Sequence, residues 1–226
     1  MAKILHIETS TDISSVCISE DGQLSSLKES INAMAHAKEG TLLIEACLKE
    51  ANLSFQQLDA VALSEGPGSY TALRVGSSIA KGICYAMDIP LIAISTLKSL
   101  ALAASKKIKA DFYCPMIDAR RKEVYMAFYN NELSELMEVQ AKILDTASFS
   151  QEISVTESLV FCGNGSGKFQ EMTEQPNFLF VDLVCSAQHL IPLAEEAFYH
   201  KNFESLAYFE PTYLKPPNIT LSLIHI

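Results

Sequence analysis

Two short stretches combine carboxylate, hydroxyl and glycine residues in a pattern that could bind an anion. The first, Glu8-Thr9-Ser10-Thr11-Asp12, directly follows a predicted buried strand at residues 3–8. The second, Gly66-Pro67-Gly68-Ser69, lies between a predicted strand at residues 60–64 and a predicted helix at residues 70–87. A glycine-rich turn from a strand into a helix directs backbone N–H groups and the positive helix end toward one point. The candidate anion or nucleotide site consists of Glu8, Thr9, Ser10, Thr11, Gly66, Gly68 and Ser69.

The glycine-rich stretch also has a simpler explanation. Pro67 lacks a backbone donor, and the flanking glycines permit dihedral angles that other residues avoid, so the stretch can serve only as a tight turn. Ser69 stands where the helix N-cap is expected, with a side-chain oxygen for a free backbone N–H. No histidine stands at a recognisable spacing from Ser10 or Thr11 to activate either as a nucleophile. A tight turn and an anion site both remain open.

The predicted helix at residues 70–87 carries an unusual run of small residues. Gly76, Ser77, Ser78, Ala80 and Gly82 lie close together in it. A glycine inside a helix costs up to about 1 kcal/mol relative to alanine, so two of them need a reason. Close packing on the protein's own sheet is one explanation, and a helix–helix interface with another subunit is the other.

Composition limits the class of protein. The chain has 226 residues, 49% of them hydrophobic and 19% charged, which is enough for a sizeable core. The formal net charge of −10 argues against a protein that grips nucleic acid alone, because phosphate binding needs a basic face. The two small basic clusters, residues 106–109 and Arg120-Arg121-Lys122, are most simply solvated turns.

Cysteine and histidine spacing predicts no metal site. The six cysteines lie far apart without a CxxC pair, and no two of the five histidines stand at metal-ligand spacing. Free thiols in a reducing cytosol are the expected state. The N-terminus is too polar for a signal peptide, and no run approaches the ~18 apolar residues of a membrane span. We therefore expect a cytoplasmic protein.

The order of predicted elements indicates an α/β protein with two lobes. Residues 1–105 form the first lobe, in which three antiparallel strands precede alternating helices and strands. Residues 106–226 form a smaller α/β lobe that again opens with a hairpin, so the two lobes are candidates for a degenerate duplication. Its last helix is predicted at residues 186–201, capped by Ser186. Residues 221–226 are either an ordinary buried terminus or a non-native end.

A second glycine-rich loop lies in the predicted smaller lobe. Gly163-Asn164-Gly165-Ser166-Gly167-Lys168 fails the P-loop pattern, which would require a glycine at Cys162 and a serine or threonine at Phe169. A strand-to-helix turn is the preferred interpretation, and a weak anion site is the second.

Three motifs together carry a family resemblance. They are residues 4–11, the Gly66–Gly76 run with Ala80-Lys81-Gly82, and Asp118-Ala119-Arg120-Arg121 followed by Glu123-Val124-Tyr125. In this order and spacing the chain strongly resembles the TsaB (YeaZ-type) subunit of the bacterial machinery for threonylcarbamoyladenosine (t6A) in tRNA. The likeness extends from residue 3 to about residue 215. Ala72 departs from it, because the family pattern has glycine there.

The resemblance implies a fold and a role. The fold is the actin-like, acetate- and sugar-kinase type (ribonuclease H-like), with a reduced second lobe. The role is that of a non-catalytic scaffold that activates a TsaD-like transferase, which modifies the adenosine 3′ of the anticodon. A TsaE-like ATPase is the third partner, tRNA is reached through the complex, and the chain alone is a possible homodimer. No cofactor is expected on this chain, whereas ATP or ADP and a metal ion are expected on partner subunits.

The same resemblance bears on the metal and on the interface. TsaD-like proteins carry a His-x3-His metal pair where this chain has Thr96 and Leu100; threonine is a poor ligand for a transition metal and leucine is none. The implied interface uses the predicted helices at residues 35–51 and 70–87. Its expected residues are Leu43, Cys47, Arg74, Gly76, Ser77, Ala80, Lys81 and Cys84. The alternatives are a metallopeptidase of the glycoprotease type and a small-molecule kinase of the sugar-kinase superfamily.

Overall fold

The structure is a computed structural model that describes residues 2–31, 36–149 and 153–215. Within these residues the strands form two five-stranded mixed sheets. The predicted helix start at Ala35, and the stretch at residues 221–226, lie outside the described residues. No helix in the described part is long and apolar enough to cross a membrane.

The first sheet has the order β3-β2-β1-β4-β5. Its strands are β1 (Lys3–Glu8), β2 (Ile13–Glu20), β3 (Gln23–Ile31), β4 (Ala60–Gly66) and β5 (Leu91–Ser95). β1 pairs antiparallel with β2 and parallel with β4, with Ile7 opposite both Val16 and Leu63. The helices α1 (His36–Glu50) and α2 (Tyr70–Met87) connect these strands and cover one face, where Ile44 and Ala80 pack on β1, β2 and β4.

The second sheet, read from its antiparallel edge, has the order β8-β7-β6-β9-β10. Its strands are β6 (Phe112–Asp118), β7 (Glu123–Asn130), β8 (Glu135–Ile143), β9 (Leu159–Cys162) and β10 (Phe178–Val181). β6 pairs antiparallel with β7 and parallel with β9, as β1 does with β2 and β4. The two sheets thus repeat one topology, in agreement with the predicted duplication.

Two helices each pack on the sheet that is formed by the other half of the sequence. The helix α3 (Thr96–Lys107) packs on the second sheet, where Leu97 and Leu100 are fully buried beside Tyr113 and Val160. The helix α5 (Ile191–Tyr199) packs on the outer face of the first sheet. Each lobe is therefore completed by a helix from the other half, and the boundary at residue 105 stays a prediction.

The last predicted helix is shorter and starts differently than expected. A 3-10 turn spans Ala187–Leu190, and α5 begins only at Ile191, whose neighbour Pro192 suits the first helical turn. Ser186 makes no capping hydrogen bond within the described structure; its hydroxyl donates to Glu29 Oε1 at 2.6 Å. The predicted cap is wrong because a charged acceptor on β3 takes this hydroxyl.

Candidate functional site

The turn after β1 and the glycine-rich turn after β4 meet at the carboxyl ends of these parallel strands. Glu8 is the last residue of β1 and is fully buried. Its Oε1 atom accepts hydrogen bonds from the Ser10 backbone N–H at 2.6 Å and from the Ser64 hydroxyl at 3.0 Å. The Ser10 carbonyl in turn accepts from the Ser69 N–H at 2.7 Å. The structure therefore brings Glu8, Ser10 and Ser69 of the candidate site together.

The same contacts close the turn against an external anion. The Ser10 and Ser69 N–H groups, which a phosphate would need, are already bonded to Glu8 and to Ser10. Burial raises the pKa of Glu8, although hydrogen bonds from Ser10 and Ser64 partly oppose this shift. Its second oxygen, Oε2, has no hydrogen-bond partner among the described residues. The buried Glu8 carboxyl group therefore already accepts from one backbone donor and one hydroxyl of this region.

The glycines of this turn are required by close packing. A Cβ atom on Gly68 would lie 2.4 Å from the Ser10 carbonyl oxygen. Gly66 has a φ of 117°, and a Cβ there would lie 2.7 Å from the Thr212 carbonyl oxygen. Ser69 has the extended backbone of an N-cap, yet its side chain makes no capping hydrogen bond to the described residues. The tight-turn interpretation accounts for the glycines, and Ser69 stands at the predicted N-cap position without the expected side-chain hydrogen bond among the described residues.

The two glycines of α2 have different environments. A Cβ on Gly76 would lie 2.3 Å from Thr9 Oγ1, whose hydroxyl donates to the Ala72 carbonyl at 2.9 Å. A Cβ on Gly82 would have no heavy atom of the described residues within 4 Å. Gly76 therefore allows α2 to approach the turn after β1, whereas Gly82 is exposed on the other side of the helix.

Several residues expected at a subunit interface lie instead in the protein's own core. Cys47, Ala80 and Cys84 are at most 1% exposed and pack with the first sheet. Gly76 is buried against Thr9. These four assignments are corrected because the inner faces of α1, with Cys47, and of α2, with the other three, pack on their own sheet.

The other four expected interface residues border the surface of α1 and α2. Leu43 is partly buried and Arg74 is exposed. Ser77 is itself buried, and with Lys81 it lines a groove of about 510 Å³ whose other wall includes Glu210, Pro211 and Tyr213. The exposed stripe of α2 consists of Thr71, Arg74, Ser78, Gly82 and Tyr85.

A C-terminal tail, residues 203–215, covers one side of α2. Lys81 Nζ donates to the Phe209 carbonyl at 3.1 Å, and the Tyr213 ring lies 4.6 Å from that of Tyr70. Arg74 stacks on Tyr70 at 4.5 Å, and its pKa is raised chiefly by a hydrogen bond with Tyr213. Arg74 therefore contacts the protein's own tail.

The positions of the implied metal pair do not fit a metal ion. Thr96 and Leu100 are both fully buried, and Leu100 belongs to the apolar core under the second sheet. Thr96 Oγ1 has no hydrogen-bond partner among the described residues. A buried leucine offers no donor atom, and a single hydroxyl is a weak ligand for a transition metal.

The loop after β9 is a strand-to-helix turn, which is the interpretation that the sequence favoured. Gly163 has a φ of 91°, and its Cβ would lie 2.3 Å from the Met116 carbonyl oxygen. Gly165 N–H donates to that same oxygen at 3.0 Å. The helix α4 (Ser166–Gln170) that follows has one turn, and Lys168 Nζ on it contacts Asp118 Oδ1 at 2.6 Å.

Comparison with known proteins agrees with this geometry. A family model described as "TsaD: tRNA N6-adenosine threonylcarbamoyltransferase" matches residues 30–224. The chain belongs to this family. It is also 29% identical to the "tRNA threonylcarbamoyladenosine biosynthesis protein TsaB" of Haemophilus influenzae and 26% identical to that of Escherichia coli. These matches cover 94% of this chain and 93% and 94% of the relatives.

The transferases themselves match over a shorter stretch. The "tRNA N6-adenosine threonylcarbamoyltransferase" of Bacillus thuringiensis is 37% identical over 107 residues, which is 40% of this chain and 31% of the enzyme. This chain therefore resembles the transferases over one region and the TsaB proteins over nearly its whole length.

Solved structures confirm the fold. The structure of "YeaZ from Pseudomonas aeruginosa" superposes with a TM-score of 0.82 at 25% identity, covering 95% of this chain and all of the other. An "Activator of the 2-Hydroxyisocaproyl-CoA Dehydratase from Clostridium difficile" superposes with a TM-score of 0.53 at 10% identity, covering 90% of this chain and 98% of that one. The second likeness concerns the fold alone. The predicted actin-like α/β fold is confirmed.

Sequence reasoning missed two parts of the site. Cys185, from the segment before α5, is buried near Glu8, and burial together with this carboxyl raises the pKa of the Cys185 thiol. The tail with Tyr213 closes over α2. No local pattern indicates either contact. The sequence does show a Gly-x-Gly motif at the end of two equivalent strands, as Gly66-x-Gly68 for β4 and as Gly163-x-Gly165 for β9.

Proposed function

We propose that this chain is a non-catalytic scaffold subunit that activates a TsaD-like transferase in the formation of t6A in tRNA, in the cytoplasm. The match to TsaB proteins over nearly the full length of both chains carries this proposal. The closed turn at Glu8 and the metal-incompatible pair Thr96 and Leu100 support the non-catalytic part. The turn at Glu8 disfavours a kinase, and the pair Thr96 and Leu100 disfavours a metallopeptidase.

The exposed face of α1 and α2 is the proposed contact with the transferase, or with a second copy when the chain is alone. Tyr85 on α2 is 83% exposed, and Leu42 on α1 is 54% exposed. Exposed aromatic and aliphatic side chains on adjacent helices favour a protein interface. A groove of about 380 Å³ between Tyr70, Arg74 and Ile79 continues this face. ATP or ADP, the metal ion and a TsaE-like ATPase belong to the partner side of this proposal.

Reconstitution tests the role directly. The chain is mixed with its cognate TsaD-like and TsaE-like proteins, a supply of threonylcarbamoyl-adenylate and tRNA, and modified adenosine is measured. We expect modification to require the chain. Equal modification in its absence would refute the scaffold role.

A matched pair of variants tests the surface. Tyr85→Glu places a charge in the proposed interface, and we expect it to weaken the complex and modification at least about 10-fold, as the loss of an aromatic anchor does. Tyr199→Glu, on α5, is the control because that tyrosine is 82% exposed. Equal effects of the two variants would place the interface elsewhere.

A further inference from the structure

The three arginines of this chain have an unusual distribution. Only three of its 17 basic residues are arginine, and Arg120 and Arg121 are adjacent. They form the turn between β6 and β7, with φ angles of 70° and 54°. A side chain disfavours this left-handed conformation, for which turns normally use asparagine or glycine. The chain therefore places two of its three arginines where their backbone conformation is unfavourable.

The base of this turn is held from several sides. Asp118 Oδ1 accepts hydrogen bonds from the Arg120 N–H and from Lys168 Nζ, both at 2.6 Å. The Asp118 N–H donates to Asn164 Oδ1 at 3.0 Å. Lys215 of the tail forms an ion pair with Glu123 on the other side of the turn. The turn is thus a fixed support for the side chains that it carries.

The cations on the turn itself are not neutralised. Lys168 and Lys215 are paired with Asp118 and Glu123. The side chains of Arg120, Arg121 and Lys122 are exposed, and within the described structure they form no hydrogen bond or ion pair. Three adjacent positive charges therefore face solvent in a chain whose net charge is −10.

Arginine at this position indicates the kind of partner. Its planar guanidinium group donates two parallel hydrogen bonds to a phosphate or carboxylate, whereas lysine acts as a point charge. Among the described residues, no cation of the turn itself takes part in the ion pair that Lys215 forms with Glu123. An exposed cluster of three cations suits the phosphate groups of a nucleic acid, because phosphate contacts need a basic face.

We propose that Arg120, Arg121 and Lys122 bind the phosphate backbone of the tRNA while this chain is in complex with the transferase. This proposal rests on the proposed function, in which tRNA is the substrate of the complex. It adds a direct RNA contact to a subunit whose overall charge is acidic. The contact is electrostatic and independent of base sequence.

The experiment compares tRNA affinity of the complex across a series of salt concentrations, with an unmodified tRNA transcript as the probe. Arg120→Asn/Arg121→Gly removes both charges and suits the left-handed turn, so we expect its melting temperature to equal or exceed that of the wild type. We expect about 10-fold weaker binding at 0.1 M salt, and a slope of log affinity against log salt that is smaller by about 2.

Two further variants separate charge from conformation. Arg120→Lys/Arg121→Lys keeps the charges and should keep most of the salt dependence. Lys106→Ala/Lys109→Ala removes two exposed charges at the end of α3 and should leave affinity unchanged. An unchanged salt slope in the asparagine–glycine variant would overturn the proposal. Failure of that variant to join the transferase without tRNA would also overturn it, and would identify an acidic protein surface as the partner.

The proposed function and the proposed RNA contact can be refuted separately. Modification that proceeds without this chain refutes the proposed function. Modification that requires the chain, together with unchanged tRNA affinity in the asparagine–glycine variant, refutes only the RNA contact.

Discussion

Replacing Gly76 with alanine tests why α2 contains small residues. The added Cβ would lie 2.3 Å from Thr9 Oγ1, so the helix or Thr9 must move by about 1 Å to reach an ordinary van der Waals distance. Overpacking of this kind costs ~1–3 kcal/mol. A displaced Thr9 would also lose its hydrogen bond to Ala72, worth about 1 kcal/mol. Alanine regains about 1 kcal/mol in helix propensity. We therefore expect Gly76→Ala to lower the free energy of unfolding by about 1–3 kcal/mol.

Gly82→Ala is the matched control on the same helix. Its Cβ meets no heavy atom of the described residues within 4 Å, so only the helix propensity changes. We expect a stabilisation of up to about 1 kcal/mol. Urea denaturation of the two variants at equal protein concentration measures the difference, which we expect to be about 1–4 kcal/mol.

A double-mutant cycle identifies the clash itself. Thr9→Ala removes the oxygen that Gly76→Ala would contact and leaves the Thr9 Cβ at 3.4 Å. The two substitutions should therefore couple by at least about 1 kcal/mol, with the double variant more stable than the sum predicts. Additive effects, or a Gly76→Ala variant as stable as Gly82→Ala, would refute the packing explanation.

Three other substitutions test the turn and the caps. Burial raises the pKa of Glu8 in the folded protein above its pKa in the unfolded chain. The wild type therefore loses stability as the pH rises from the unfolded-state pKa to the folded-state pKa. Glu8→Gln does not ionise, so we expect it to gain stability relative to the wild type over the same interval. Urea unfolding of both proteins from pH 4 to 8 measures this difference, and a constant difference would contradict it. Ser95→Ala should lower the free energy of unfolding by about 1 kcal/mol, because the Ser95 hydroxyl accepts a hydrogen bond from the Lys98 N–H. Ser69→Ala should lower it by less than about 0.5 kcal/mol, because the Ser69 side chain makes no capping hydrogen bond to the described residues. Equal losses of stability in thermal unfolding would contradict this assignment of the caps.

Most of the secondary structure followed from local pattern. The helix Tyr70–Met87 has the predicted bounds, and so does the strand at residues 3–8. Alternating and continuous apolar runs determine such elements because they must bury one face or both. The capping hydrogen bonds expected of Ser69 and Ser186 are not formed within the described structure, and the Ser186 hydroxyl instead donates to Glu29, which is distant in the sequence. Local sequence does not contain that information.

The sequence by itself determined the fold class and the family, because the spacing of the motifs is a linear property. It also indicated that Glu8 and Gly68 belong to one turn region. Only the tertiary structure decided that this turn is closed by its own carboxylate, and that Gly76 serves internal packing while Gly82 is exposed. Both decisions depend on distances of a few ångströms between segments about 60 residues apart in the chain. Such distances are fixed by the packing of sheets and helices rather than by neighbouring residues.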